Sequence, residues 1–599
     1  MLRDDRFKGL TPRDLRKDLI AGITVGAVAI PLGMAFAIAS GVSPEYGIYT
    51  TVIAGFIVAL LGGSHFQIAG PTGAFIPILL AIVLQYGYED LLIAGMIAGV
   101  MLILMGIFKF GSLITYIPRS VTIGFTSGIA VIIFTGQLEN FLGLEGVERK
   151  QYFHENMIEI FSKIDTINLY SVLIAILGLL IIIFVPKFFP RVPVLLIALI
   201  IPSIISYLFF PDKVATIGSA FGGIPQSLPE FKMPEITMEK LLYLWQPAFA
   251  IAMLGGIESL LSAVVADGMT GKQHKSNKEL FGQGVANIVT PFFGGIPATG
   301  AIARTATNIK SGAVSPFSGI FQSIFVLLTL LLFAPFAYHI PLASMAPILM
   351  VVAFNMSEYK TFGSILKLRT SDSLVLVTTF LLTVFVNLTV AVPIGLLLAM
   401  VSFVKRISGL LEIQDIMPER FANGRNRKEL KRKKEEYTCP QIASFTVRGP
   451  LFFGAADRFE STLSRAIRRR PEVLILKMRH VSMIDVTGEA NLSTFVKNFI
   501  KKNGTVLITE LADEPLEMLK KSGLYDFIGK DHFFHDTTDA INYALQLINV
   551  KNCQYCAKNP ENGCRVFKVV DYDEEPVKEH VLDGASIQVQ HHVKQEQKV

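Results

Sequence analysis

Gly70-Pro71-Thr72-Gly73-Ala74 interrupts an apolar run early in the chain, and Pro297-Ala298-Thr299-Gly300-Ala301-Ile302-Ala303-Arg304 interrupts another in its second half. The apolar runs beginning at Thr72 and Thr299 are too short to cross roughly 30 Å of hydrocarbon as straight helices. Short, Gly/Pro-interrupted segments at corresponding places in two halves point to half-helices at a midplane binding site. Counting supports the correspondence, because Pro31 precedes Thr72 by 41 residues and Glu258 precedes Thr299 by the same 41. The implied offset of 227 pairs Gly41 with Gly268, Gly55 with Gly282, Ala59 with Ala286, Gly73 with Gly300 and Ala74 with Ala301.

Outward from these breaks, seven apolar runs lie between residues 18 and 211 and seven more between 246 and 409. Seven is odd, so the two repeats have opposite topology. The expectation is an α-helical polytopic membrane protein with 14 transmembrane segments in a 7+7 inverted repeat, preceded by a cytosolic segment at 1–17. Composition agrees: of 599 residues, 51% are apolar and only 17% charged, against about 25% charged in soluble proteins. This excludes a purely soluble enzyme, a fibrous protein and a disordered chain. The formal charge of +6 arises from 55 basic and 49 acidic residues, too balanced for a nucleic-acid partner. Basic residues gather before the first run (Arg3, Arg6, Lys8, Arg13, Arg16, Lys17) and after the last (Lys405 to Lys434). The positive-inside rule then places both termini in the cytoplasm. The first span has no small-residue cleavage site and is not read as a removable signal peptide.

Residues 410–437 read as a basic linker with access to anionic lipid. Within 438–550, Ile442–Val447, Val473–Met478 and Thr505–Thr509 read as strands. Helical patterns at Ala456–Arg468 and Thr487–Lys501 separate them, which implies a small α/β domain. Residues 551–599 read as a mostly disordered, Cys-containing tail.

The chemistry is expected at the two breaks. A helix that starts inside the membrane presents unsatisfied N–H groups and the positive end of its dipole, which suits an anion. Glycine admits the ligand to the backbone, and Thr72 and Thr299 supply hydroxyl caps. The plainer alternative is a pair of turns between packed helices. Arg304, five residues after Thr299, adds a guanidinium beside the anion. Glu258 would repel an anion, so its expected role is a coupling group protonated when the anion binds, with Ser262 one turn later sharing a hydrogen bond or an ion. A sodium site, or a Glu258–Arg304 salt bridge that only fixes two helices, are the competing readings.

Pro31-Leu32-Gly33-Met34-Ala35-Phe36-Ala37, Gly41, Pro44, Tyr46-Gly47-Ile48-Tyr49 and the stretch Phe293 to Thr305 resemble the sulfate permease (SulP, SLC26) anion transporters, over nearly the whole chain to about residue 550. The resemblance implies a core domain moving against a gate domain and a C-terminal STAS domain. It places the anion between the third and tenth segments, on Thr72, Gly73, Ala74, Gly300, Ala301 and Ile302 with Arg304 nearby, and it assigns the acidic residue of the eighth segment to Glu258. Many members carry Gln and Tyr where this chain has Leu32 and Phe36. With Glu258-Ser259-Leu260-Leu261-Ser262, Asp267-Gly268-Met269-Thr270-Gly271 and Asn355-Met356-Ser357-Glu358, the chain looks more like the bacterial C4-dicarboxylate branch. The expectation is proton-coupled uptake of succinate, fumarate or a similar diacid by a homodimer in the cytoplasmic membrane. A sulfate or bicarbonate transporter of the same fold, proton- or sodium-coupled, is the alternative. From other classes, an anion sensor signalling through the STAS domain to a cytosolic partner, and an ion channel, remain.

Ile484-Asp485-Val486-Thr487-Gly488 is similar to the STAS loop whose hydroxyl residue is phosphorylated in anti-sigma antagonists, which makes Thr487 a regulatory candidate; the alternative is a helix cap at Thr487. Cys553, Cys556 and Cys564 supply three weak zinc-ligand candidates, with reduced thiols as the plainer reading. No nucleophilic triad or phosphate loop is present in the sequence, so neither an enzymatic activity nor a cofactor is expected.

Overall fold

The computed structural model describes residues 4–112, 117–150, 152–189, 192–386, 388–415, 441–455, 459, 463 and 471–549. The chain divides into two compact units, Met1–Ser402 and Phe403–Val599.

The first unit is helical. Its first half comprises α1 (Pro12–Ala39), α2 (Pro44–Leu61), strand β1 (Ala69–Gly70), a 3-10 turn (Gly73–Phe75) leading into α3 (Ile76–Tyr86), α4 (Tyr88–Ile107), α5 (Arg119–Gly136), α6 (Leu138–Leu142), α7 (Phe153–Ser162), α8 (Leu169–Phe188), α9 (Val194–Phe209) and α10 (Ile217–Phe221). The second half comprises α11 (Met238–Thr270), α12 (Ser276–Val289), β2 (Thr299–Gly300), α13 (Ile302–Lys310), α14 (Phe317–Ala337), α15 (Leu342–Met356), α16 (Tyr359–Lys367), α17 (Ser371–Phe385) and α18 (Leu388–Ser408). Among the described residues nine helices are long and apolar enough to cross a membrane, and α3, α9 and α17 are shorter apolar helices. The fourteen segments are completed by α12, which buries Glu279, Gln283 and Asn287, and by α13, nine residues long. Polar side chains are tolerated there because they face protein rather than lipid.

The inverted repeat is visible in two ways. Helix α1 packs on α14 as α11 packs on α4, and α5 packs on α17 as α15 packs on α8. Strands β1 and β2, equivalent in the two halves, pair antiparallel with Ala69 opposite Gly300 and Gly70 opposite Thr299. Matching the two strands first residue to first residue gives an offset of 230 residues, three more than the sequence strings suggest. The same offset relates Gly41 and Gly271, the left-handed residues that follow α1 and α11. The strings mislead because Thr299-Gly300 lies in its strand, whereas Thr72-Gly73 lies beyond its strand.

The N-terminal segment is docked. Arg6 is buried and donates to the carbonyls of Leu60 (2.9 Å) in the last turn of α2 and of Ser64 (3.0 Å) just beyond it, where the carbonyl end of a helix dipole favours a cation. Asp4 bridges Arg6 (2.9 Å) and Lys278 of α12 (2.5 Å). Burial pushes the Asp4 carboxyl up, but the hydrogen bonds from Arg6 and Lys278 outweigh it and hold the group well below the usual carboxylate range.

The second unit is an α/β domain. Its sheet runs β3 (Glu412–Asp415), β4 (Ile442–Arg448), β5 (Val473–His480), β6 (Thr505–Thr509) and β7 (Phe533–Phe534), with β3 antiparallel to β4 and the rest parallel. Helices α19 (Val486–Ile500), α20 (Asp513–Lys521), α21 (Leu524–Ile528) and α22 (Thr537–Leu547) accompany it. The three expected strands and the helix at Thr487 are in place. The expected linker at 410–437 instead opens with β3, which belongs to the sheet. The rest of that linker and the tail at 551–599 lie outside the described residues, as does most of the expected helix at Ala456–Arg468.

Candidate functional site

Strands β1 and β2 bring the two breaks together, and the amide of Ala301 extends the pairing to the carbonyl of Ile68 (2.8 Å). From there one chain turns into the Gly73–Phe75 turn and α3, the other into α13. Neither start has a side-chain cap. The first-turn amides are therefore left for another acceptor.

The expected hydroxyl caps are not made, because both threonines have stronger partners. Thr72 donates to Glu258 Oε2 at 2.9 Å. Thr299, buried in β2, donates to the carbonyl of Gly255 (2.9 Å) and lies 2.8 Å from Ser259 Oγ. Ser259 Oγ in turn accepts from the Gly300 amide (3.0 Å), and Gln67 Nε2 donates to the Ser259 carbonyl (3.1 Å). Ser262 donates to Thr305 Oγ1 (3.1 Å), which accepts from the Ile68 amide (3.0 Å). Ser262 thus holds α13 rather than Glu258. Its expected sharing with Glu258 is not seen.

Arg304 sits in the first turn of α13 with 2% of its surface exposed. Its Nη2 donates to the carbonyl of Pro71, and its Nη1, also buried, has no partner. Gly70 makes room for the guanidinium: at φ +152°, a Cβ there would stand 2.8 Å from Nη1. Glu258 and Arg304 form no salt bridge among the described residues, so the reading in which they simply pin two helices finds no support. An unpaired buried guanidinium nitrogen is costly. The starts differ in exposure: Thr72, Gly73 and Ala74 are buried, whereas Ile302 and Ala303 are exposed with Ala301 buried. A Cβ on Gly73 would meet Met356 of α15 (2.9 Å) and Ile133 of α5 (3.3 Å), so this start lies against the α5–α15 pair.

Sequence reasoning missed Ser259, Gln67, Thr305 and Asn287, which exchanges two bonds with the backbone of Ala298 (2.8 Å each). Polar residues recurring within apolar helices were the available signal. In the second unit, Thr487 is exposed, and the cap of α19 is Asp485, which accepts from the amides of Gly488 (2.7 Å) and Phe453 (3.0 Å). The cap reading of Thr487 is corrected accordingly. Cys553, Cys556 and Cys564 lie outside the described residues, among which no His/Cys/Asp/Glu group could hold a metal ion.

Comparison with known proteins adds to this geometry. Residues 15–379 match the sulfate permease family and residues 434–540 the STAS domain. The chain is 52% identical over 533 residues to the Bacillus subtilis protein named "Putative sulfate transporter YvdB", covering 89% of this chain and 98% of the relative. It is 30% identical over 554 residues to the bicarbonate transporter BicA of a Picosynechococcus species, covering 89% and 95%. The murine Slc26a9 anion transporter, solved in an inward-facing state, superposes with a TM-score of 0.78 at 18% identity, covering 90% of this chain and 93% of that one, which shows a shared fold.

Proposed function

The chain belongs to the sulfate permease family of anion transporters, with a C-terminal STAS domain, and from that premise we propose that it takes up C4-dicarboxylates such as succinate and fumarate together with protons, by alternating access and without chemical conversion. The observation that carries the reading is Arg304, buried at a half-helix start with Nη1 unpaired. The anion binds between the two starts, on Thr72, Gly73, Ala74, Thr299, Gly300, Ala301 and Ile302. Arg304 supplies charge and direction, while backbone amides supply the rest.

Glu258 is the proton carrier in this scheme. Its carboxylate accepts from Thr72, which begins the first half-helix, so its protonation state is tied to one wall of the anion site. Leu32 and Phe36 are buried in the apolar core of α1, a helix packed on both α3 and α13. An apolar wall suits the carbon chain of a diacid better than a tetrahedral inorganic anion. Sulfate is the second reading, favoured by the name of the 52% identical relative. The transporter resides in the cytoplasmic membrane as a homodimer with both termini cytoplasmic, and its STAS domain serves assembly or a cytosolic partner.

The test is uptake of labelled succinate into proteoliposomes under an inward proton gradient, with fumarate, sulfate and bicarbonate as competitors. Accumulation blocked by fumarate supports the reading. Transport of sulfate or bicarbonate without succinate flux moves the substrate to the second reading or to bicarbonate.

A further inference from the structure

A cavity of about 360 Å³ lies between α3, α5, residues of 137–150 and 153–160, α11 at Gln246 and Pro247, and the end of α17. Its volume falls in the range of small-ligand sites. Its inner end is made by Ile76 and Pro77, the first turn of α3, and by Ile133, the same isoleucine that lies against Gly73. The cavity therefore runs along α3 to the threshold of the anion site.

Three charged residues line it: Glu139, Arg149 and Lys150. They leave an excess of one positive charge. Arg149 Nε donates to Glu139 (3.3 Å), and Nη1 donates to the carbonyl of Ile38 (2.7 Å) near the end of α1. Nη2 has no partner among the described residues. Lys150 is held by its backbone, whose amide donates to Asn156 Oδ1 (2.7 Å) and whose carbonyl accepts from Asn156 Nδ2 (2.6 Å). Its ammonium pairs with the exposed Glu148 (2.6 Å), its one ion-pair partner among the described residues. Gln85, Gln137 and Asn156 add neutral hydrogen-bonding groups to the wall. A cleft with low-dielectric walls and net positive lining concentrates anions.

We propose that this cavity is a second anion site, in which Arg149 and Lys150 hold the transported anion before it reaches the half-helix starts. The inference rests on the anion-transport reading above. In the proposed topology the ends of α1 and α3 face outward, so the cavity loads from outside. Arg149 exchanges its weak hold on Glu139 for the anion, while its bond to Ile38 keeps the guanidinium in place.

The test uses the full-length chain with K150C, reacted from outside with membrane-impermeant thiosulfonates of either charge. Wild-type protein treated in the same way controls for the four native cysteines. K150C is expected to raise the KM for succinate about threefold, the weight of one charge several ångströms away in a hydrated cleft. The anionic reagent raises KM further and the cationic reagent restores it, with the maximal rate unchanged. R149Q raises KM in the same way, and K150C keeps the test valid should R149Q fail to fold. If wild type transports an anion but the KM of K150C ignores the reagent's charge, the second site is overturned while the transport reading stands. If wild type transports no anion, the transport reading itself fails.

Discussion

The two strand-and-helix units at the centre of the membrane domain can be aligned at the 230-residue offset that relates β1 to β2. Arg304 then falls on Ala74, Thr305 on Phe75, Glu258 on Val28, Ser259 on Ala29 and Ser262 on Leu32. Charge and hydrogen-bonding side chains are concentrated in the second unit. The first receives them: Arg304 reaches the carbonyl of Pro71, and Glu258 takes the hydroxyl of Thr72. Duplication doubled the helix dipole at the site, since that is a property of the backbone. The proposed coupling needs one titratable group, and Glu258 is one. The long-range bonds of Arg304 and Glu258 each tie the second unit to the first.

Substitutions test the asymmetry of the two units, and Glu258→Gln should change transport most. Proton-driven accumulation falls at least about 100-fold while exchange of internal for external anion persists, read as net uptake against counterflow in proteoliposomes. The glutamine keeps the acceptor for Thr72 and loses only the titration. Arg304→Gln comes next, lowering kcat/KM for uptake by about 30- to 5,000-fold, the range for removing one partner of a buried charge-assisted contact. Arg304→Lys is not expected to rescue, because a point charge cannot hold the Pro71 carbonyl and an anion together as the planar fork does.

Gly70→Ala and Gly300→Ala test the pseudo-symmetric pair directly. At Gly70 the added Cβ meets Arg304, and affinity for the anion is expected to drop about tenfold in equilibrium binding. At Gly300 the neighbour is the amide of Gln67, so thermal stability falls while Arg304 stays in place. Equal binding losses in the two variants would contradict the asymmetry. Thr72→Val removes the hydroxyl from Glu258 and should displace the pH profile of uptake with a three- to tenfold loss of rate; Thr72→Ser keeps both, and Ile302→Ala, at the equivalent position, changes rate less than twofold.

The smallest effect is expected where the N-terminal segment joins α12. Asp4 has a depressed folded pKa, so its contribution is present above the unfolded value of about 3.9 and is lost as pH falls through the folded one. Docking is therefore constant across pH 5–8. Asp4→Asn should lower the hydrogen-exchange protection factors of residues 5–15 at every pH in that range, and wild-type protection factors that fall between pH 8 and 5 would contradict the sign.

Much of this arrangement is legible in the sequence. Glycine and proline inside apolar runs mark Thr72 and Thr299 because a membrane tolerates a broken helix only around a cavity, and Glu258 and Arg304 stand out by charge alone. Strands of two residues carry no periodicity, so the register of β1 against β2, and with it the true offset, was hidden. Partner choice was hidden too: Thr72 looks like a cap until Glu258 is seen beside it, and Ser262 looks like a companion of Glu258 until Thr305 is. Strand β3 was lost in the charged stretch that follows it. Asp485 caps α19 although Thr487, two residues on, is also a capping residue by type.

The most direct test of the account measures proton and succinate influx together in proteoliposomes of wild type and Glu258→Gln. Wild type should move the two in a fixed ratio and accumulate succinate, and the variant should exchange succinate with no proton movement. Proton influx that still follows succinate in Glu258→Gln would contradict the assignment of coupling to this carboxyl group.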